Sequence, residues 1–411
     1  MPTADASISG REKAVIAILL YATLLTIWAP AAVVSALPQI QAHFADLPNA
    51  DLLARLTLTM PALFIAATAP VAGWVMDKVG RKPVLLSAIA LYVIVGPAGL
   101  YVQTLPQLLI ARALLGIAIG GSMPTVITLI GDYFDGERRS KVMGFQSAAL
   151  EFGAVLFTIL AGVLASLSWR APFSIFMLAI PLLPLVYVLI QEPDKARAAP
   201  PSGPGKAPAK SRLPATTIFA YLIGALGMTG IFLLPVHLPF LIARDLQLPN
   251  PFLISVAIGV STLFAGISAS YYHRIKRKLS TLSGFVPCFL LMSAGYAVFA
   301  ISQAYWMVLV GAAFAGIGIG IFLPNINMWV VSMAPPPLRG RTVAGLMSFV
   351  FLGQFSSPLV STAYSVRYGL DQLFLTASAI ALIVAIAFGL STRAQARHAA
   401  DAGLADKPET D

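Results

Sequence analysis

Two ionisable side chains lie within long apolar stretches of this 411-residue sequence and are the first candidates for chemistry. Glu151 lies in the apolar run 142–167, and Arg112 lies in the run 107–130. Ionisable groups inside hydrophobic segments are costly and are therefore functional candidates. A carboxyl group held in such a segment binds a proton more readily than one in water, so Glu151 is a candidate for coupling proton flow to another process.

Both residues also have other interpretations, which the sequence leaves open. Glu151 could pair with a cationic substrate, or it could form a structural bond to a neighbouring helix or to Arg112. Arg112 could tune Glu151 or hold an anionic group, or it could act as a structural hydrogen-bond hub.

Weaker candidates are polar or aromatic side chains that would face a solute cavity. They are Tyr21, Trp28, Gln146, Asn325, Asn327 and Gln354. A kink at Pro324, just before the two asparagines, would free backbone groups, but for each of the six a helix-packing contact is the simpler interpretation. Arg55 and Asp51 are interpreted as an ion pair close to water, and His237 as a packed residue.

The elements that position these residues follow from composition. The chain is 58% hydrophobic and 11% charged, whereas soluble domains carry about 25% charged residues. The apolar residues form twelve runs: 14–37, 52–76, 84–102, 107–130, 142–167, 172–190, 213–242, 252–272, 282–301, 306–333, 343–366 and 372–390. Each run is long enough to cross a hydrocarbon core of roughly 30 Å as a helix. An all-α polytopic membrane protein with twelve transmembrane helices is predicted.

The net charge of +10 is explained by membrane topology rather than by nucleic-acid binding. With the amino terminus inside, 22 of the 27 Lys and Arg residues fall on the cytoplasmic side, where basic residues accumulate. Both termini are then cytoplasmic. The predicted organisation is a six-helix bundle over 1–190, a Pro-rich cytoplasmic linker over 191–213, a second bundle over 214–391 and a polar, disordered cytoplasmic tail over 392–411.

The two halves repeat each other. "GIAIGGSMP" from Gly116 matches "GIGIGIFLP" from Gly316 at an offset of 200, and the same register pairs Gly153 with Gly353. "LPQI" at Leu37 pairs with "LPFL" at Leu238 at an offset of 201. Because each unit has an even number of helices, both copies have the same orientation, so the two bundles are pseudo-symmetric about an axis along the membrane normal.

A short segment rich in charged residues and glycine, "GWVMDKVGRK", joins the second and third runs. Its pattern Gly-x-x-x-Asp-x-x-Gly-Arg-Lys is met by Gly73, Asp77, Gly80, Arg81 and Lys82. This loop resembles the signature loop of the major facilitator superfamily, and Arg112 before a glycine-rich face resembles a second family feature. The resemblance covers nearly the whole chain.

The resemblance implies that this loop acts as an inner gate. Gly73 would let neighbouring helices approach closely, and Gly80 would adopt a positive φ. Asp77 would face the amino terminus of the eleventh helix while the outside is open, and Arg81 would pair with Asp132. The second-half copy, "YYHRIKRKL", lacks the acid and the second glycine.

For function, the resemblance implies a secondary active transporter working by alternating access, related to bacterial drug and metabolite exporters. Proton-coupled efflux of a small amphipathic molecule is the favoured interpretation. The exporter pattern in the fifth helix is only partly met, because Phe157 and Thr158 replace Gly-Pro. A proton-coupled importer of an organic acid, a lipid flippase and a non-transporting sensor or assembly factor are the alternatives.

The remaining expectations concern cofactors, partners and location. One cysteine, Cys288, and four scattered histidines exclude an intrachain disulfide and make a metal cluster improbable, and no enzyme constellation is found. The expected partners are a small-molecule substrate, the lipid bilayer and protons, with the proton gradient as energy source and no cofactor. The protein is expected to work as a monomer in the inner membrane.

Overall fold

The computed structural model describes residues 10–192, 215–277, 279–335 and 338–401, and these residues are almost entirely helical. Twelve apolar helices occur within them, labelled α1 to α12 in chain order: Gly10–Val34, Ala50–Val79, Arg81–Leu100, Leu105–Tyr133, Gly136–Ala165, Ala171–Leu189, Thr216–Asp245, Pro251–Ser270, Phe285–Ala300, Tyr305–Met333, Arg339–Tyr368 and Leu370–Gln395. Most of the predicted linker 191–213, the basic residue Lys278 and the end of the tail lie outside the described residues.

Each predicted apolar run corresponds to one of these helices, and two of the differences in boundary have a local physical cause. The ninth helix has 16 residues, which gives about 24 Å at 1.5 Å per residue, less than a full crossing. It begins late because Ser280 and Ser283 bond to each other and to local backbone groups, and such bonds compete with a helix.

The second difference is at the carboxyl end, where disorder was predicted from residue 392. The helix that begins at Leu370 instead continues to Asp401. The segment after Leu390 is rich in Ala, Arg and Gln, which are strong helix formers, and this explains the extension.

Glycines of the repeat make matching contacts in the two halves. Beta carbons added at Gly116 and Gly120 of α4 would collide with Pro61 and Thr68 of α2. Added at Gly316 and Gly320 of α10, they would collide with Ser261 and Ala265 of α8. The α4–α2 and α10–α8 pairs are therefore equivalent close contacts, as expected from the matching sequences.

The two halves meet through α5 against α8 and through α2 against α11. We call the end with the basic loops after α2 and α4 the inner end, and the opposite end the outer end. Gly162, near the outer end of α5, lies against Ser255 and the carbonyl of Pro251 on α8. Nearer the inner end, a gap of about 210 Å³ separates α2 and α4 from α11, with Pro70, Pro124 and Ser348 among its lining residues. The halves thus touch at the outer end and separate toward the inner end.

Candidate functional site

A cavity of about 310 Å³ lies between the halves. Helices α1 and α5 line it from the first half, and α7, α8 and α10 line it from the second. Its walls are mostly aliphatic, with the ring of Phe232 and hydroxyl groups from Thr26, Thr158, Ser261 and Thr262. No charged side chain lines this cavity in the described part of the chain, so it suits an apolar or amphipathic solute.

Glu151 lies one helical turn inward from this cavity. Ala154 and Thr158, which line the cavity, are three and seven residues further along α5 and share a helical face with Glu151. A β-carbon built on Gly266 of α8 would lie 3.0 Å from Oε2 of Glu151. The carboxylate is therefore positioned where α5 of one half passes α8 of the other. Among the described residues it has no hydrogen-bond or ion-pair partner.

Arg112 occupies a different environment, inside the first half. Its side chain is buried, Nε donates to the Thr57 carbonyl at 2.8 Å, and Nη2 donates to the Ala29 carbonyl. The guanidinium carbon also lies 5.9 Å from the centre of the Phe176 ring. These bonds tie α4 to the backbones of α1 and α2. Arg112 neither lines the cavity nor contacts Glu151, so its geometry is that of the structural hub.

Three of the predicted cavity residues lie inside the first half rather than at the cavity. Trp28 is fully buried and packs against Tyr92 and Phe157. Tyr21 donates its hydroxyl to the Leu178 carbonyl, and Gln146 donates to Thr23 Oγ1 at 3.3 Å. The predicted cavity position of Trp28 is therefore wrong in this conformation. Residues 27, 30, 31 and 34 of α1 line the cavity, and Trp28 points about 100° around the helix from Ile27, away from that face.

Of the three predicted cavity residues of the second half, two make packing contacts and one lies near the inner gap. Asn325 is buried near the inner end, where Oδ1 accepts from the Tyr272 hydroxyl and Nδ2 donates to the Thr281 carbonyl, each at 2.9 Å. Asn327 donates to the Leu323 carbonyl of its own helix. These two asparagines therefore make packing contacts. Gln354 is part-buried on α11, one turn beyond Phe351, which lines the inner gap.

The inner loop, residues 77–82, forms the ion pair with α4 that the family resemblance implied. Nε of Arg81 donates to Oδ2 of Asp132 at 3.0 Å. Asp77 is exposed and has no ion-pair partner among the described residues. Gly73 was expected to permit a close helix contact, but a β-carbon there would meet nothing within 4 Å. The expectation for Gly73 is wrong in this conformation because the inner ends of the helices stand apart.

Sequence reasoning missed one acid at this loop. Glu192 accepts hydrogen bonds from the backbone N–H groups of Arg81 at 2.7 Å and Lys82 at 2.8 Å, so it caps the amino terminus of α3. Gly80 has φ +99°, and a β-carbon at Gly80 would lie 2.7 Å from Glu192 Oε1. The turn therefore requires glycine both for its backbone conformation and for the space that Glu192 occupies. The only sequence signal was an acid directly after the sixth apolar run.

A second missed feature closes the outer end, and we call it the outer network: Gln41, Asp51 and Arg55 of the first half with Phe240 and Arg244 of the second. Arg244 donates to the Gln41 side chain and lies 3.9 Å from the Asp51 carboxylate. Arg55 pairs with Asp51 at 3.3 Å and lies 4.0 Å from the centre of the Phe240 ring. The Arg55–Asp51 pair was expected, but Arg55 is buried rather than close to water.

Two helical halves that touch at the outer end and separate toward the inner end, with a cavity between them, have the architecture of a membrane transporter. The chain belongs to the Major Facilitator Superfamily, whose family model matches residues 16–293 and 282–409. It is therefore a multi-pass membrane transporter for a small molecule and not an enzyme.

Comparisons with individual proteins agree with this assignment. Multidrug resistance protein MdtG of Enterobacter lignolyticus (strain SCF1) is 25% identical over 369 residues, which cover 86% of each chain. The bacillibactin exporter of Bacillus subtilis (strain 168) is 24% identical over 328 residues, 75% of this chain and 80% of the exporter. A bacterial homologue of the human lysosomal transporter Spinster, solved in an inward-facing, unoccupied conformation, matches with a TM-score of 0.74 at 17% identity, over 92% of this chain and 96% of that one. This last likeness concerns the fold alone.

Proposed function

We propose that this protein exports a small amphipathic molecule across the inner membrane, with protons moving in the opposite direction. The observation that carries the proposal is the cavity between the halves, with its apolar walls, its hydroxyl groups and the Glu151 carboxylate one turn away. Such walls bury the apolar body of a solute, and hydroxyl groups orient it without demanding a fixed charge. Relatives named for multidrug resistance and for bacillibactin export support efflux.

Alternating access requires two sets of contacts that form in opposite states. The outer network joins the halves in this conformation. We assign the reciprocal set to the inner loop, where Asp77 would meet the amino terminus of α11 when the inner gap closes. A helix amino terminus attracts a carboxylate by about 0.3–1 kcal/mol. Arg81 and Asp132 would hold the loop in place in both states, because both belong to the first half.

Glu151 is positioned to couple the proton. It lies on α5 where the helix passes Gly266 of α8, and α5 and α8 belong to different halves. A change in the angle between the halves would alter its distance from α8 and from the cavity, and so its exposure to water. A carboxyl that is exposed in one state and desolvated in the other binds protons with different affinity in the two states. That difference is what links proton movement to solute movement.

The proposal is tested by solute transport in vesicles of both orientations. A fluorescent lipophilic cation such as ethidium is added to the external medium, and a pH gradient is imposed. Accumulation in inside-out vesicles with an acidic interior supports proton-coupled export. Gradient-driven accumulation only in right-side-out vesicles would favour import and would overturn the assigned direction.

Glu151→Gln is the variant that tests coupling, and Glu137→Gln is its matched control. Glu137 is on the same helix but is exposed in its first turn. Loss of gradient-driven transport in the first variant alone supports the assignment. Equal transport by both variants would contradict the role of Glu151.

A further inference from the structure

A second cavity, of about 300 Å³, lies within the second half and shares no lining residue with the central cavity. Helices α7, α9, α11 and α12 enclose it. Its lining runs from Leu373 to Val384 on α12 and includes Thr229 on α7 and Ser357 on α11. The volume is at the lower end of the range for ligand pockets. We call it the bundle pocket.

The sequence repeat shows what fills the equivalent position in the first half. At the offset of 201 for α1 and α7, Thr229 corresponds to Trp28. At the offset of 200 that pairs α5 with α11, Ser357 corresponds to Phe157. Two hydroxyl residues that line the bundle pocket thus replace two aromatic residues.

Those aromatic residues form a packed cluster in the first half. The ring centres of Trp28 and Phe157 are 5.3 Å apart, and Tyr92 joins Trp28 to Phe176 at 6.4 and 5.5 Å. The same bundle position is therefore filled by the protein's own side chains in one half and open in the other. Because an empty cavity forfeits packing energy, an open pocket in the second half is costly unless something occupies it.

The polar groups of the bundle pocket are already satisfied. Ser357 Oγ donates to the Thr229 carbonyl at 2.9 Å, and the Tyr364 hydroxyl pairs with Thr376 Oγ1 at 2.9 Å. The Tyr296 hydroxyl donates to the Gly230 carbonyl. No charged side chain lines the pocket in the described part of the chain. A water molecule needs two to four polar partners, so this lining favours an apolar occupant over water.

The pocket reaches the side surface of the second bundle, at the depth of the membrane. Leu226, Val360 and Ile380 line it and are exposed, Val360 by 68%. Val360 corresponds to Leu160 of α5, which is also exposed. An apolar helix surface at this depth faces hydrocarbon. The direct source of an apolar occupant is therefore the surrounding bilayer.

We propose that the bundle pocket binds the hydrocarbon chain of a bilayer lipid, which enters sideways past Val360 while its headgroup stays outside. This site is separate from the transport cavity, and its occupancy does not depend on the proposed direction or coupling of transport.

The test uses full-length protein reconstituted in vesicles that contain a phosphatidylcholine with a photoreactive diazirine on its acyl chain. After illumination, labelled peptides are identified by mass spectrometry. Strong labelling of pocket residues on α11 and α12, with weak labelling of the equivalent buried positions on α5 and α6, supports the proposal. Equal, weak labelling of both halves would overturn it.

Two variants sharpen the test. Thr376 lines the pocket, so Thr376→Phe places an aromatic ring in it and should reduce pocket labelling several-fold. Leu160 should keep its label and serves as a reference for folded protein. Thr229→Val keeps the volume, and its pocket labelling should match the wild type. If loss of Leu160 labelling shows that Thr376→Phe is poorly folded, Ser357→Phe is used in its place. Pocket labelling that stays at the wild-type level in the filled variant contradicts the proposal. Loss of pocket labelling when tetraphenylphosphonium is added also contradicts it, because the pocket would then be part of the solute route.

Discussion

The guanidinium carbon of Arg55 lies 4.0 Å from the ring centre of Phe240, and this contact joins the two halves of the molecule at the outer end. Arg244 stacks on the same ring at 5.2 Å and reaches back to Gln41 and Asp51 of the first half. The conformation with a closed outer end is therefore stabilised by contacts that must break when the outer end opens.

Removing one member of the outer network should favour the outward-open state. We expect Arg244→Gln to lose the contacts to Asp51 and Phe240. A loss of 1–2 kcal/mol would shift the balance of states by roughly 5- to 30-fold. The measurement is the labelling rate of Thr262→Cys, in the central cavity, by a membrane-impermeant maleimide applied from outside, in a Cys288→Ser background.

Arg367→Gln is the control for this experiment, because Arg367 is exposed near the outer end of α11 and contacts Tyr368 of its own helix. Equal labelling rates in Arg244→Gln and Arg367→Gln would show that the outer network does not hold the outer end closed.

Gly80 should tolerate no side chain, for two separate reasons. Its φ of +99° is strained for other residues, and an added β-carbon meets the carboxylate of Glu192 at 2.7 Å. We expect Gly80→Ala to lower the thermal unfolding midpoint, and Gly73→Ala, at an open position, to leave it nearly unchanged.

Glu192→Ala should also lower stability, by about 0.5–2 kcal/mol, as loss of a helix cap does. A smaller loss is expected for Glu137→Ala, an exposed acid at the start of α5. Thermal unfolding in detergent measures both. An unfolding midpoint for Glu192→Ala equal to that of the wild type would remove Glu192 from its assigned capping role.

Arg112 should prove structural, because its bonds go to backbone carbonyls of α1 and α2. Lysine lacks the planar fork that reaches both carbonyls, so Arg112→Lys leaves at least one buried acceptor unpaired, at about 1–3 kcal/mol. Lys141→Ala, at an exposed position on α5, is the control. Unchanged thermal stability together with loss of transport would instead favour a direct role for Arg112 with the solute.

Much of the fold was predictable because apolar run length and glycine repeats are local properties of the sequence. Gly116 and Gly316 showed the repeat, and the pair of Arg81 with Asp132 followed from the family's signature loop. The start of α9 was not predictable from run length, because hydrogen bonds of Ser280 and Ser283 decide it.

The candidate site was less predictable, because it depends on how helices face one another. Trp28 and Ile27 are adjacent in sequence, yet only Ile27 lines the cavity. The outer network depends on the position of Arg244 relative to a half that lies about 200 residues away along the chain. No pattern in one sequence reports that relationship.

Paired spin-label distances across both ends of the protein test the proposed alternating access most directly. One pair joins Asp46→Cys to Gln247→Cys at the outer end, and the other joins Glu137→Cys to Arg274→Cys at the inner end, each with Cys288→Ser. We predict that a change of pH in lipid nanodiscs shifts both distance distributions together. The fraction of molecules with a longer outer distance should rise by the same amount as the fraction with a shorter inner distance. Distances that change in the same direction at both ends, or that stay fixed at both, would contradict two halves rocking about a central cavity.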